Sequence, residues 1–276
     1  MKLMNTDQKP IISLKNVTFS YHQKPVLQEI NWSVWPEQFI GIIGPNGSGK
    51  TTLLKLISGI LIPQEGNIKL FNEDIKTIPR KKMAKIVSVV PQESFIAYNY
   101  KVKEVVFMGR IPYINQWRGE TIQDYQISKE AMEKTDSVCH AEKGIHQISG
   151  GERQRVYIAR ALAQSPKILM LDEFDSHLDL NYKYEIIKIL QEALRKEVKC
   201  IISVFHDLNL ASYCSDQLIL LNQGKIERKG TPQEVINEQT LKKVYHTKPH
   251  IIPHPELTIP QIIMGKMPGD GPLAYF

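Results

Sequence analysis

Nine residues from Gly44 to Thr52, GPNGSGKTT, join a loop almost without side chains to one lysine and two hydroxyls. They follow the apolar run FIGII and lead into the helically spaced LLKLISGI. Such a loop is suited to capturing an anion. Small residues let successive backbone N–H groups curl around phosphate oxygens, and the start of the next helix adds its positive dipole end. The pattern is G-x-x-x-x-G-K-[ST], with Gly44, Pro45, Asn46, Gly47, Ser48 and Gly49 as the cradle and Thr52 closing the stretch. In that arrangement Lys50 reaches the β- and γ-phosphates of a nucleotide, and Thr51 offers its hydroxyl to Mg²⁺.

Two further groups carry chemistry. KILMLDE ends an apolar run on Asp172 and Glu173. Asp172 would hold Mg²⁺ through water. Glu173, one residue beyond, would face the γ-phosphate and polarise the attacking water. The plain alternative is a strand that merely ends in two acids. QISGGERQR then offers a second helix start, with Ser149, Gly150 and Gly151 leaving N–H groups open. As a local feature it is an N-cap followed by Glu152 in the first turn. As a second anion seat in a chain that already has one, it suggests two copies facing each other, each closing the other's site.

These residues need a scaffold. IISLKNVTFSY and INWSVWP alternate and predict antiparallel strands with one buried face. QFIGIIG is apolar throughout and predicts a central strand buried on both faces. Helical spacing from Gly49 puts Leu53, Leu56, Ile57 and Ile60 on one stripe, with Gly59 weakening the last turn. GNIKLF and KIVSVVP read as strands, and Arg80-Lys81-Lys82 as a solvated helix start. From about Gln92 to Gly150 strand-like runs give way to polar helical segments, which predicts an inserted helical lobe. The α/β alternation resumes with KILMLDE, LNYKYEIIKILQEALRKE, KCIISVF, DLNLASYCS and the Asn-Gln-Gly turn of DQLILLNQGKIERKG. After Lys248 the chain turns Pro- and Gly-rich, and a tail without a core of its own is expected. His246, His250 and His254 are four apart, but Pro249, Pro253 and Pro255 argue against a helix that would gather them.

Composition sets wide limits. Lys and Arg exceed Asp and Glu by 35 − 29 = 6 in 276 residues. That excess is mild and spread out, and does not demand nucleic acid. Cys139, Cys200 and Cys214 form no CxxC pair, so neither a disulfide framework nor a zinc site is expected. The opening MKLMNTDQKP lacks the apolar run of a signal peptide, and no stretch is long and apolar enough to span a membrane. Action at a membrane would need another chain as anchor.

Taken in order, GPNGSGKTT, Gln92 in VVPQES, ISGGERQR, LMLDEFDSHLD and His206 in VFHDLN resemble the ATP-binding subunit of ABC transporters. The resemblance runs from about Ile11 to His246. It implies an α/β fold: a P-loop NTPase (RecA-like) core, an antiparallel β subdomain and an inserted α-helical subdomain. The expected domains are 11–247, with the helical subdomain at about 93–155, and a tail at 248–276. It implies ATP and Mg²⁺ as ligands and assigns further roles. Tyr21 stacks on adenine. Gln92 contacts Mg²⁺ and the attacking water, joining Thr51 and Asp172 as a metal-site residue. Ser149, Gly150 and Gly151 bind the γ-phosphate held by a second copy, and Asp179 lies at the dimer seam. His206 hydrogen-bonds the γ-phosphate and ties it to Glu173; with Gln92 and Lys50 these form the expected catalytic set.

Three positions depart from the family pattern. Ile148 replaces a leucine at little expected cost. Phe174 and Asp175 stand where Pro-Thr is commoner, which puts the local turn in question. VVFMGRIPY, DSHLDL and KGTPQEVINEQTLKKVYH resemble ATPases that energise importers of iron-siderophores, haem and cobalamin. That implies transmembrane permease subunits as partners, gripped by Gln92 to Tyr113. It also implies a periplasmic or lipid-anchored solute-binding protein acting indirectly, no nucleic acid, and a place on the cytoplasmic face of the cell membrane. An exporter ATPase and a soluble ABC switch or scaffold are the rival readings.

Overall fold

The computed structural model describes residues 9–92, 96–115, 117–175, 178–247 and 249–263. The expected start of the lobe at 93–95, positions 176 and 177 of DSHLD, Lys248 and the tail from 264 lie outside the described residues. Two sheets carry the chain. β1 (Ile12–Tyr21), β2 (Lys24–Val34), β4 (Glu65–Leu70) and β5 (Glu73–Asp74) pair antiparallel in the order β2-β1-β4-β5. Their alternation buries Ile12, Leu14 and Val17 and leaves the other face wetter.

The second sheet runs β10-β9-β3-β8-β7-β6. β3 (Gln38–Ile43), β6 (Val87–Val90), β7 (Ile168–Asp172), β8 (Cys200–Val204) and β9 (Gln217–Asn222) are parallel, and β10 (Lys225–Gly230) is an antiparallel edge. β7 and β8 are buried at every residue, as unbroken apolar runs covered on both faces must be. One core lies between this sheet, the antiparallel sheet and α1 (Lys50–Ile57). The other lies on the opposite face, under the helices.

α1 is shorter than its stripe predicts. It ends before Gly59, whose φ of +72° is left-handed, and Ile60 emerges 65% exposed. A C-terminal glycine in that conformation stops a helix rather than merely loosening it. α2 (Arg80–Ile86) begins at the basic run and feeds β6. α3 (Val102–Phe107), α4 (Ile122–Lys134) and α5 (Gly150–Ala163) pack on one another as the helical lobe. Arg110 pins them: its Nε donates to Asp124 Oδ1 at 3.0 Å and its Nη1 to the Ala163 carbonyl at 2.7 Å. α6 (Leu180–Lys196), α7 (Leu208–Cys214), α8 (Pro232–Val235) and α9 (Glu238–Tyr245) complete the α-helices among the described residues.

Residues 249–263 of the expected tail are described, and they lean on the main core instead of forming one of their own. β11 (His250–Pro253) and β12 (Pro260–Ile263) form a hairpin whose Ile251 and Ile262 pack against the main core. The tail histidines are not gathered. His246 caps α9, His250 sits in β11, and His254 accepts two backbone N–H bonds at the hairpin turn.

Candidate functional site

Register brings the chemistry together. Val204 of β8 pairs with Ile42 of β3 on one side and with Asp172 of β7 on the other. The three strands therefore end level, and the glycine loop, Glu173 and His206, which continue them, emerge on one rim. Carboxyl ends of parallel strands are where ligands sit in open α/β sheets.

A cleft of about 810 Å³ opens there, lined by Asn46, Gly47, Gly49, Lys50, Thr51 and Thr52 and also by Tyr21, Gln92, Glu173 and His206. The loop is built for close approach. Gly49 has φ +105°, and a Cβ there would lie 2.7 Å from Leu27 Cδ2; at Gly44, φ +149°, it would lie 2.2 Å from the Leu221 carbonyl oxygen. Ser48 Oγ is buried with no hydrogen-bond partner among the described residues, an orphan polar atom in the cradle wall. α1 has no acid in its first turn and no side-chain cap, so its amides and dipole face the cleft unopposed. Lys50 Nζ donates to the Gly44 and Pro45 carbonyls at 2.9 and 3.1 Å. Burial lowers its pKa, against the opposing pull of Glu173 and Asp172.

Thr51 Oγ1 donates to Asp172 Oδ1 at 3.2 Å. Burial raises the Asp172 pKa, and the Glu173 charge adds to the rise. The Thr51 hydroxyl and the Gln92 amide line the cleft, and the Asp172 carboxylate is bonded to Thr51; these are hard oxygen donors of the kind Mg²⁺ takes beside phosphates. Among the described residues no cluster of three His, Cys, Asp or Glu could hold a metal alone. Such a site fits an ion that arrives with its nucleotide.

Glu173 has a left-handed backbone, φ +54°, which breaks β7 and swings its carboxylate over the rim. A non-glycine residue there costs about 1–3 kcal/mol, tolerated where the surroundings fix it. Here they do. Its N–H reaches the Val204 carbonyl at 3.2 Å, and Phe174 behind it is buried edge-on to Phe205 with centroids 5.7 Å apart. His206 Nε2 lies 2.7 Å from Glu173 Oε1, and Gln92 Nε2 donates to Glu173 Oε2. Phe174 thus serves as an anchor for the turn. Asp175 next to it is 4% exposed, and its Oδ1 lacks a partner among the described residues.

Tyr21 is 43% exposed beside the loop, edge-on to Phe19. Ser149, Gly150, Gly151 and Asp179 do not line this cleft. Ser149 caps α5 and Asp179 is the exposed N-cap of α6. Sequence reasoning overlooked the β9–β10 turn at Gln223-Gly224 and the Pro25-Val26 stretch, which also line the cleft. The Gln28 N–H to the Gly224 carbonyl, 2.8 Å, stitches the two sheets together beside it. The Asn-Gln-Gly turn signalled a hairpin, but nothing local placed it at the site.

The ABC transporter family profile matches residues 27–176, more than half of the chain, and includes the glycine loop, Gln92, Ser149 to Gly151 and Glu173. The chain belongs to the ABC transporter family. Two curated relatives and one solved structure place this ABC cassette further. YvrA of Bacillus subtilis (strain 168), an uncharacterized ABC transporter ATP-binding protein, is 38% identical over 245 residues, 88% of this chain and 55% of YvrA. The hemin import ATP-binding protein HmuV of Vibrio parahaemolyticus is 34% identical over 257 residues, 91% of this chain and 97% of HmuV. The cassette therefore spans about half the length of the first and nearly all of the second. The ATP-binding cassette MJ0796, solved as a dimer in a post-hydrolysis state with ADP and Pi, superposes with a TM-score of 0.69 at 28% identity, covering 80% of this chain and 98% of that one.

Proposed function

We propose that this cassette is the ATP-hydrolysing subunit of an importer of metal chelates, in the first place an iron-siderophore, with cobalamin and haem as the nearest alternatives. The observation that carries the hydrolytic part is the Glu173 carboxylate, held by His206 and Gln92 at the mouth of the glycine-loop cleft. A carboxylate fixed by two donors has one orientation to offer an attacking water. Glu173 takes the proton as the water oxygen bonds to the γ-phosphorus and the bond to the β-phosphate oxygen breaks. Lys50 leaves its carbonyl partners for the β- and γ-phosphate oxygens, and Tyr21 covers the base. Thr51, Asp172 and Gln92 hold Mg²⁺, which supplies charge neutralisation at the phosphates.

Ser149, Gly150 and Gly151 act on the nucleotide of a second copy, with Asp179 at the seam. Closure driven by γ-phosphate contacts, and released once they are cut, makes the pair a switch. Among the described residues no helix is long and apolar enough to cross a membrane. In this reading force passes to permease subunits through the helical lobe, from the cytoplasmic face. An apolar groove of about 740 Å³ in that lobe, walled by Phe107, Met108, Tyr125, Met132 and Val138, supports this docking. The hemin-import name of HmuV favours this reading over an exporter or a soluble scaffold.

The test is Glu173→Gln. ATP affinity should stay within about twofold while hydrolysis falls roughly 10²–10⁴-fold, the range for loss of a general base. Near wild-type turnover would remove Glu173 from its role. Co-purification with a multi-span permease and a chelate-binding protein tests the import part, and an exporter-type partner would contradict it.

A further inference from the structure

We propose that the C-terminal hairpin β11–β12 is a positioning strap for His206, acting through α7. The inference rests on the hydrolytic role proposed for Glu173 and His206 and extends it to a segment that role does not use. His206 stands between the end of β8 and the N-cap of α7, Asp207, whose Oδ1 accepts the N–H groups of Asn209 and Leu210 at 2.8 and 3.1 Å. The ring is 46% exposed, and its one polar tie among the described contacts is to Glu173 Oε1. Where that ring points therefore depends on where α7 begins.

α7 is seven residues long. A helix that short has little stability of its own, so its position is set by what packs on it. Its inner side is fixed: Ala211 and Cys214 are buried, and Asp216, just beyond its end, exchanges hydrogen bonds with the backbone of Phe39 in β3. Its outer side is held by the hairpin. Asn209 mimics a strand partner for Ile262: Nδ2 donates to the Ile262 carbonyl at 3.0 Å, and Oδ1 accepts the Ile262 N–H at 2.7 Å. Three residues on, on the same helix face, buried Ser212 Oγ donates to the Pro260 carbonyl at 2.9 Å.

A two-stranded hairpin is itself marginal alone. This one is fastened elsewhere as well. Gln233 Nε2 of α8 donates to the Thr258 carbonyl at the hairpin turn, and Ile251 and Ile262 sit on the core. The hairpin thus ties α7 to the body of the domain from the side away from the sheet. Asn209 and Ser212 are positioning residues: they touch neither nucleotide loop nor Glu173, yet they fix the helix start that presents His206.

The test is a double-mutant cycle in the full chain. Asn209→Ala, at an exposed position, should lower kcat for ATP hydrolysis about 3–10-fold while Kd for ATP changes less than twofold. In a His206→Ala background the same substitution should have no further effect, because the group it positions is gone. Ser212→Ala should repeat the pattern, and amide exchange over α7 should quicken in both variants. Equal losses in the two backgrounds, a matching loss of ATP affinity, or unchanged kcat with Asn209→Ala would overturn the strap. A wild-type chain that does not hydrolyse ATP would instead overturn the hydrolytic reading, so the two failures are distinguishable.

Discussion

Two helix starts in this chain look alike in sequence and differ in structure. Both have a glycine at the start, Gly49 as the N-cap of α1 and Gly150 as the first residue of α5. At α1, Gly49 is left-handed, no acid lies in the first turn and no side chain caps it. At α5, Ser149 and Glu152 close a capping box. Ser149 Oγ accepts the Glu152 N–H at 3.3 Å, and Glu152 Oε2 accepts the Ser149 N–H at 2.8 Å. The Ser149 N–H, donated to the carboxylate, holds the Glu152 carboxyl below the usual range, and the Ser149 hydroxyl adds to this. Around the first helix start the chain gathers Lys50, Thr51, Glu173, Gln92 and His206 on one cleft, with Asp172 bonded to Thr51. Around the second it supplies a stable helix end, with Gly150 facing open space. One is an uncapped helix start inside a lined cleft, and the other is a capped helix start on an open surface.

The comparison breaks first at the glycines. Gly49→Ala must place a Cβ 2.7 Å from Leu27 and 3.1 Å from the Val26 carbonyl, at φ +105°. Strain of about 1–3 kcal/mol and a displaced loop are expected, with ATP affinity of the isolated chain lost by more than about 100-fold. Titration with a fluorescent ATP analogue checks it. Gly150→Ala meets nothing within 4 Å. Its folding stability should stay within about 0.5 kcal/mol and its ATP affinity unchanged, while turnover falls more than about tenfold at concentrations that support dimers. If both variants lost nucleotide binding equally, the two helix starts would not differ as described.

Ser149→Ala sharpens the contrast with a smaller effect. It removes the α5 cap, about 1 kcal/mol of stability, and should lower the midpoint of a thermal melt by about 2–4 °C. No equivalent side-chain cap exists at α1 to remove.

The smallest effect concerns Asp175. Its burial raises its pKa above the ordinary carboxylate value. A carboxyl whose folded pKa is raised adds its full cost above that value and none below the unfolded value near ~4. Asp175→Asn should therefore raise the melting midpoint by about 2 °C at pH 8, and the gain should shrink to nothing as pH falls toward ~4. A gain that grew on acidification would contradict the sign.

Much of this was legible in the sequence because the decisive features are local. The strand–loop–helix around Gly44 to Thr52, the two acids after KILML and the capping pattern at Ser149 each fit within a dozen residues. Apolar runs identified β3, β7 and β8, and their common register then follows from parallel pairing. What sequence could not show depends on contacts far along the chain. Asn209 reaches Ile262, 53 residues on, and that pairing turns a Pro-rich tail into a docked hairpin. Phe174 reads as a departure until Phe205 is seen packed against it. Ile60 fits the α1 stripe by spacing, yet Gly59 ends the helix first.

The central claim is that α5 of one copy completes the α1 site of another. Its most direct test is light scattering of the Glu173→Gln chain on a sizing column, with ATP and Mg²⁺, beside the same variant carrying Gly150→Ala. The account predicts a dimer with nucleotide for the first, a monomer without nucleotide, and a dimer lost or much weakened for the second. A chain that stays monomeric under ATP, or a dimer indifferent to Gly150→Ala, would contradict it.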